Sequence, residues 1–184
     1  MLGHDSGVFA PGVKNRATAM QVSHHLLLSH GLALQALRAQ GCRSELGIVL
    51  NLSPQHPATA SHADQASAGL EDGKLLRWYM DPLFKASYPQ DVFDHLGADA
   101  PRIEAGDLQA IAAPMDFLGV NYYSRSVVSA AGPWDVHGGG FEITDMGWEV
   151  YPEGLTELLL RLHRDYPAPP CTSHGPAALT TDRE

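Results

Sequence analysis

The 184-residue chain is poor in cysteine, poor in basic residues and free of long apolar runs. Its two cysteines, Cys42 and Cys171, cannot build a disulfide framework, and the simplest reading is two unrelated thiols in a reducing cytosol. Only 12 Lys and Arg stand against 21 Asp and Glu, for a net charge of −9. A phosphate-binding surface needs a basic face, so nucleic acid and anionic membrane surfaces are not expected partners. No apolar stretch approaches the roughly 20 residues of a membrane span. The first twenty residues lack the continuous apolar core of a secretory signal, so the expected compartment is the cytoplasm.

Metal chemistry has little to work with. There is no CxxC and no HExxH. His24 and His25 would point about 100° apart on a helix, and His25 and His30 are not spaced by one helical turn. No metal and no cofactor are expected. The glycines at 138–140 lack the helix and Lys of a phosphate loop, and no Gly-x-Ser-x-Gly elbow exists for a Ser-His-Asp triad.

What is present is a globular composition, 44% hydrophobic and 18% charged. Residues 1–14 read as a loop. From Arg16 to Gln40, Ala19, Val22, Leu26, Leu27, Leu34 and Leu37 recur at helical spacing, with Asn15 as cap and Gly41 as stop. Leu46-Gly-Ile-Val-Leu-Asn-Leu52 is an apolar run stopped by Pro54, the pattern of a strand buried on both faces. Residues 55–60 read as loop. A second helix is expected from Ser61 to Met80, broken at Asp81-Pro82, with short helical turns to Gly97 and one more near Asp107–Ala112. Phe117-Leu-Gly-Val-Asn-Tyr-Tyr123 repeats the strand pattern. Residues 124–147 are mixed. Tyr151-Pro-Glu-Gly-Leu opens a third main helix whose apolar face is Leu155, Leu158, Leu159 and Leu162. Strands separated by helices imply parallel pairing. Two such strands cannot cover themselves, so uncovered edges and self-association are expected. Glu45, Asp64, Glu71 and Asp72 read as solvated charges.

Five segments carry more specific information. They are His24-His-Leu-Leu-Leu-Ser-His-Gly31, Gly47-Ile-Val-Leu-Asn-Leu-Ser-Pro54, Arg77-Trp-Tyr-Met-Asp-Pro-Leu-Phe84, Asp116-Phe-Leu-Gly-Val-Asn-Tyr-Tyr-Ser124 and Thr144-Asp-Met-Gly-Trp-Glu-Val-Tyr-Pro-Glu-Gly154. In this order and spacing the chain resembles glycoside hydrolase family 1, the β-glucosidases. The resemblance implies an α/β fold, the central portion of a (β/α)8 barrel, with about two barrel strands and three main helices over residues 1–170. It implies hydrolysis of β-glucosides with retention, by two carboxylates roughly 5–5.5 Å apart. A barrel of this kind takes about 250 residues. The alternative reading is a small non-catalytic α/β module that binds sugar or a protein partner.

In the family the acid/base Glu lies in Asn-Glu-Pro and the nucleophile in Thr-Glu-Asn-Gly; neither motif occurs here. The first would be expected just before Met1 and the second soon after Pro170. Cys171-Thr-Ser-His174 is what Leu-Tyr-Ile-Thr codons would give when read one base late, so 171–184 is expected to be an irregular, out-of-frame tail. The chain is therefore expected to have no catalytic residue of its own and to be inactive alone. The resemblance carries two sugar-site residues over: Asn121, and Tyr123, whose hydroxyl would donate to the nucleophile. Tyr122 alternates to the other face and reads as packing. Trp148 and Glu149 read as structural residues before the third helix. Phe9 stands where a His is common in the family, and the remaining sugar-recognition positions have no counterpart here.

Overall fold

The computed structural model describes residues 2–135, 139–166 and 171–172. In chain order the elements are α1 (Arg16–Ala39), β1 (Gly47–Asn51), β2 (Gln55–Pro57), α2 (His62–Asp72), α3 (Trp78–Lys85), α4 (Gln90–Leu96), α5 (Asp107–Ile111), β3 (Phe117–Asn121), β4 (Ser126–Val128), α6 (Glu153–Asp165) and β5 (Cys171–Thr172). The chain divides into two compact units, one of residues 1–46 and 77–115, the other of residues 47–76 and 116–184.

The first unit is helical. Asn15 caps α1 by accepting from the Thr18 amide at 2.8 Å, and Gly41 follows the helix with φ +76°. The buried stripe of α1 is Ala19, Ser23, Leu27, Gly31 and Leu34, with Met20 and His24 beside it. Leu26 and Leu37, expected inside, are 65% and 44% exposed. The hydrophobic period misplaced them because Ser23, His24 and Gly31 occupy the inward positions. Gly31 is needed there: a Cβ would stand 1.9 Å from the Ala110 carbonyl oxygen. His24 is fully buried between the Tyr88 hydroxyl, at 2.9 Å from Nδ1, and Asp107, at 3.0 Å from Nε2. The Glu104 amide and His24 hold the Asp107 carboxyl below its ordinary pKa. Trp78 Nε1 donates to Ser23 Oγ at 2.9 Å and its ring packs on Tyr88 and Phe93.

Pro82 does not break the helix, contrary to the sequence expectation. It lies inside α3. A π-helical turn, Gly73–Arg77, directly precedes that helix. The carbonyl that the Pro82 ring and missing N–H bear on, four residues back, is that of Trp78, the first residue of α3.

The second unit carries the sheets. β1, β3 and β5 form a parallel sheet in that order, with Ile48 opposite Leu118 and Asn51 opposite Asn121. β3, the middle strand, is the most buried, and Leu118 and Val120 are almost fully covered. Gly119 leaves room for Val49, whose Cγ2 would lie 2.7 Å from a Cβ there. β2 and β4 form a second parallel pair, where a loop and a mixed segment were expected. Both are three residues long, and His56-Pro57 gives β2 no apolar run to read. Cys171 and Thr172, expected to open an irregular tail, pair with Leu118 and Gly119. Residues 173–184 of that tail lie outside the described residues. In α6, Leu158 and Leu162 are buried as expected.

Asp64 and Asp72 are buried, not solvated. Asp72 forms a two-pronged ion pair with Arg161 of α6. Asp64 accepts from the Thr59 hydroxyl and, at 2.7 Å, from the Ala130 amide. These bonds, that to Thr59 foremost, hold its carboxyl below the ordinary value. A depressed native pKa stabilises the fold above the unfolded value of roughly 4 and is lost as pH falls through the native one. Asp64→Asn is therefore expected to lower the unfolding temperature at pH 7 and to flatten the loss of stability on acidification below about pH 4. Thermal unfolding by circular dichroism across that range reads both effects.

Candidate sugar site at the end of β3

All the residues described below belong to the second unit. β1 and β3 run parallel and end together at Asn51 and Asn121, with the Leu52 amide donating to the Asn121 carbonyl at 3.0 Å. The chain leaving β3 presents Asn121, Tyr122 and Tyr123 in succession. Tyr122 turns to α6. Its hydroxyl donates to the Tyr151 carbonyl, and it lies so close to Gly154 that a Cβ there would meet the phenol oxygen at 2.1 Å. Burial raises its pKa to about 12. Tyr122 is thus a packing residue, as alternation predicts. Tyr123 is 48% exposed, and its hydroxyl has no hydrogen-bond partner among the described residues.

Beside Tyr123 stands Trp148, 41% exposed, their ring centroids 5.2 Å apart and tilted by 58°. Trp148 is carried by a tight return of the chain. The Gly147 amide donates to the Thr144 carbonyl at 2.8 Å, and the Thr144 amide donates to the Trp148 carbonyl at 2.9 Å. Gly147 takes φ +77°, which a glycine adopts without strain. Ile143 bridges Glu149 across the return.

Arg125, which sequence reasoning did not single out, ties the two segments together. Its Nε and Nη2 donate to the two carboxylate oxygens of Glu149 at 2.9 and 2.8 Å. Its Nη1 lies 3.1 Å from Nδ1 of His56, whose Nε2 faces Glu157 at 2.9 Å. The guanidinium sits 4.1 Å from the centre of the Tyr151 ring and 5.4 Å from that of Phe141. Glu149 is buried, and its presence strengthens the hold of Arg125 on its proton. Glu157 accepts from the Tyr151 hydroxyl at 2.7 Å, and this bond, with His56, lowers its pKa. An open cleft of about 250 Å³ lies between Ser124, Arg125, Trp134, Trp148 and Glu149. The sequence did hold a signal for Arg125: it is the sole charge between Asp116 and Asp135.

The chemistry available here is binding. Asn121 and Tyr123 offer an amide and a phenol, and Trp148 offers a ring face. Glu149 and Glu157 are each engaged by donors of the protein itself, so neither is free to attack or protonate a substrate. Among the described residues, no three His, Cys, Asp or Glu side chains gather as a metal centre, and no helix is long and apolar enough to cross a membrane.

Comparison with known proteins agrees with this architecture. The sequence model of glycosyl hydrolase family 1 matches residues 1–178. The chain is 40% identical over 179 residues to β-glucosidase A of Acetivibrio thermocellus, covering 92% of this chain and 40% of the relative. It is 34% identical to a β-glucosidase of Agrobacterium sp., covering 92% and 39%. Among solved structures, a β-glucosidase from Exiguobacterium marinum superposes with a TM-score of 0.84 at 34% identity, covering 92% of this chain and 41% of that one. The complex of virulence factor SghA, from Agrobacterium tumefaciens, with its substrate analog salicin gives 0.85 at 33%, covering 92% and 39%. The chain thus spans about 40% of the length of these relatives. With its parallel strands, its intervening helices and this match across nearly its whole length, the chain belongs to glycosyl hydrolase family 1 and holds part of a (β/α)8 barrel.

Proposed function

We propose that this chain supplies part of the sugar site of a retaining β-glucosidase and cannot hydrolyse a glucoside alone. The supporting observation is the placement of Asn121 and Tyr123 at the C-terminal end of parallel strand β3, the end at which barrel enzymes build their sites. The Tyr123 hydroxyl bonds to no described residue, and the exposed Trp148 ring stands beside it. Hydrolysis with retention needs a nucleophilic and a proton-donating carboxylate facing one glycosidic bond. The chain has neither Asn-Glu-Pro nor Thr-Glu-Asn-Gly to provide them. The substrate is a β-glucoside or β-linked oligosaccharide, the setting is cytoplasmic carbohydrate metabolism, and no cofactor takes part. Residues 1–170, with the short strand β5 that follows them, form the barrel portion, and the sequence from Cys171 onward is read out of frame, which the coding sequence in the neighbouring frame tests directly. β1 is an outer strand of its sheet among the described residues, which favours self-association.

The purified chain is expected to release no phenol from an aryl β-glucoside above the uncatalysed rate. Residues 1–166, grafted in place of their counterpart in the Acetivibrio thermocellus enzyme, are expected to give an active barrel. Turnover by the chain alone that is lost on changing Tyr123 would overturn the reading. So would a folded but inert graft.

A further inference from the structure

We propose that Arg125 is a positioning residue that sets the aromatic wall of the site by holding Trp148 against Tyr123. The consequence for sugar binding rests on the function proposed above; the geometry does not. Arg125 follows Tyr123 by two residues, and Glu149 directly follows Trp148. The paired bonds of Nε and Nη2 to the Glu149 carboxylate therefore fix the two aromatic residues through the backbone that joins each to its neighbour. A second tie runs the same way: Ser124 Oγ donates to the Glu149 carbonyl at 2.8 Å.

The clamp itself is braced. The third guanidinium nitrogen, Nη1, donates to His56 Nδ1, which makes His56 the tautomer with its proton on Nε2, pointed at Glu157. The Tyr151 and Phe141 rings pack on the guanidinium. Arg125 is 16% and Glu149 6% exposed, so water competes weakly for the pair. A planar fork is required here. A Lys has the charge but cannot give two parallel bonds to one carboxylate while giving a third to an imidazole. Trp148 lines the cleft together with Arg125 and Glu149, and Tyr123 stands against the Trp148 ring.

The test reads the wall directly. The chain has three tryptophans, Trp78, Trp134 and Trp148, so labelling with 5-fluorotryptophan gives three fluorine resonances. Trp134→Phe and Trp148→Phe assign them; Trp78 reports the fold of the first unit, and a circular dichroism spectrum and melt matching the parent chain report that the second unit is folded as well. In the parent chain, Tyr123→Leu is expected to shift the Trp148 line by removing the adjacent ring. In Arg125→Met and in Arg125→Lys, the Trp148 line is expected to move toward the position of free fluorotryptophan and to respond much less to Tyr123→Leu, with Trp78 unmoved. If Arg125→Met also disturbs Trp78, Glu149→Gln replaces it, with the same displacement expected. An unmoved Trp148 line in a folded variant overturns the proposal, as does a full response to Tyr123→Leu once the clamp is cut. The measurement needs neither sugar nor turnover, so an inert graft and an unmoved Trp148 line refute different statements.

Discussion

Tyr123→Phe, made in the grafted, complete barrel, is expected to lower kcat for an aryl β-glucoside by about 10- to 100-fold while leaving the fold intact. Tyr123 is half exposed and its hydroxyl bonds to no described residue, so its removal orphans no described group. On the proposed function, what is lost is a donor to the nucleophilic carboxylate that the rest of the barrel would supply. A hydrogen bond to a charged group contributes about 1.5–3 kcal/mol, which sets the expected factor. Its absence also has a sign on the pH axis. Donation to a carboxylate stabilises the ionised form, so removing the donor raises the nucleophile's pKa. The acid limb of kcat/KM is then expected to move to higher pH, with the basic limb unchanged. A Phe variant with parental kcat and parental acid limb would remove Tyr123 from the site. Loss of KM alone would make it a binding contact with no influence on the nucleophile.

Gly31→Ala is expected to destabilise the first unit, by about 1–3 kcal/mol net, although the same change in an exposed helix is favourable. In an open helical position alanine gains about 1 kcal/mol over glycine. At Gly31 the added methyl would lie 1.9 Å from the Ala110 oxygen, 2.5 Å from its carbonyl carbon and 3.0 Å from the Ile111 Cα. All three atoms are backbone of α5, so no side chain can rotate away. α5 would have to retreat, and it is held by the His24–Asp107 contact. The control is Gly69 in α2, where a Cβ would meet nothing within 4 Å. Gly69→Ala is expected to stabilise by up to about 1 kcal/mol. Urea denaturation of the two variants decides the matter: equal signs would mean that the α1–α5 approach is looser than described.

Gly31 also shows why parts of this fold were hard to read. The period of Leu and Val in α1 announced a helix over the right residues, but the face that packs is lined by Ser23, His24 and Gly31, which no hydrophobic count selects. β1 and β3 were legible because each is a short run of branched and small apolar residues that begins and ends abruptly. β2 and β4 have three residues each and exist because they pair with one another, which a local window cannot see. Asp64 and Asp72 looked like surface charges because their partners, Ala130 and Arg161, lie 66 and 89 positions further along. At the candidate site, Asn121 and Tyr123 were reached through resemblance; spacing and composition alone would have left them as a strand end and a packing aromatic. Glu149 was rightly read as structural, since its carboxylate is spent on Arg125.

The return that carries Trp148 is closed by backbone bonds between Thr144, Gly147 and Trp148, whereas the side chain of Met146 at its crest is 70% exposed. The Met146 side chain takes no part in that closure, so replacing it is not expected to loosen the return.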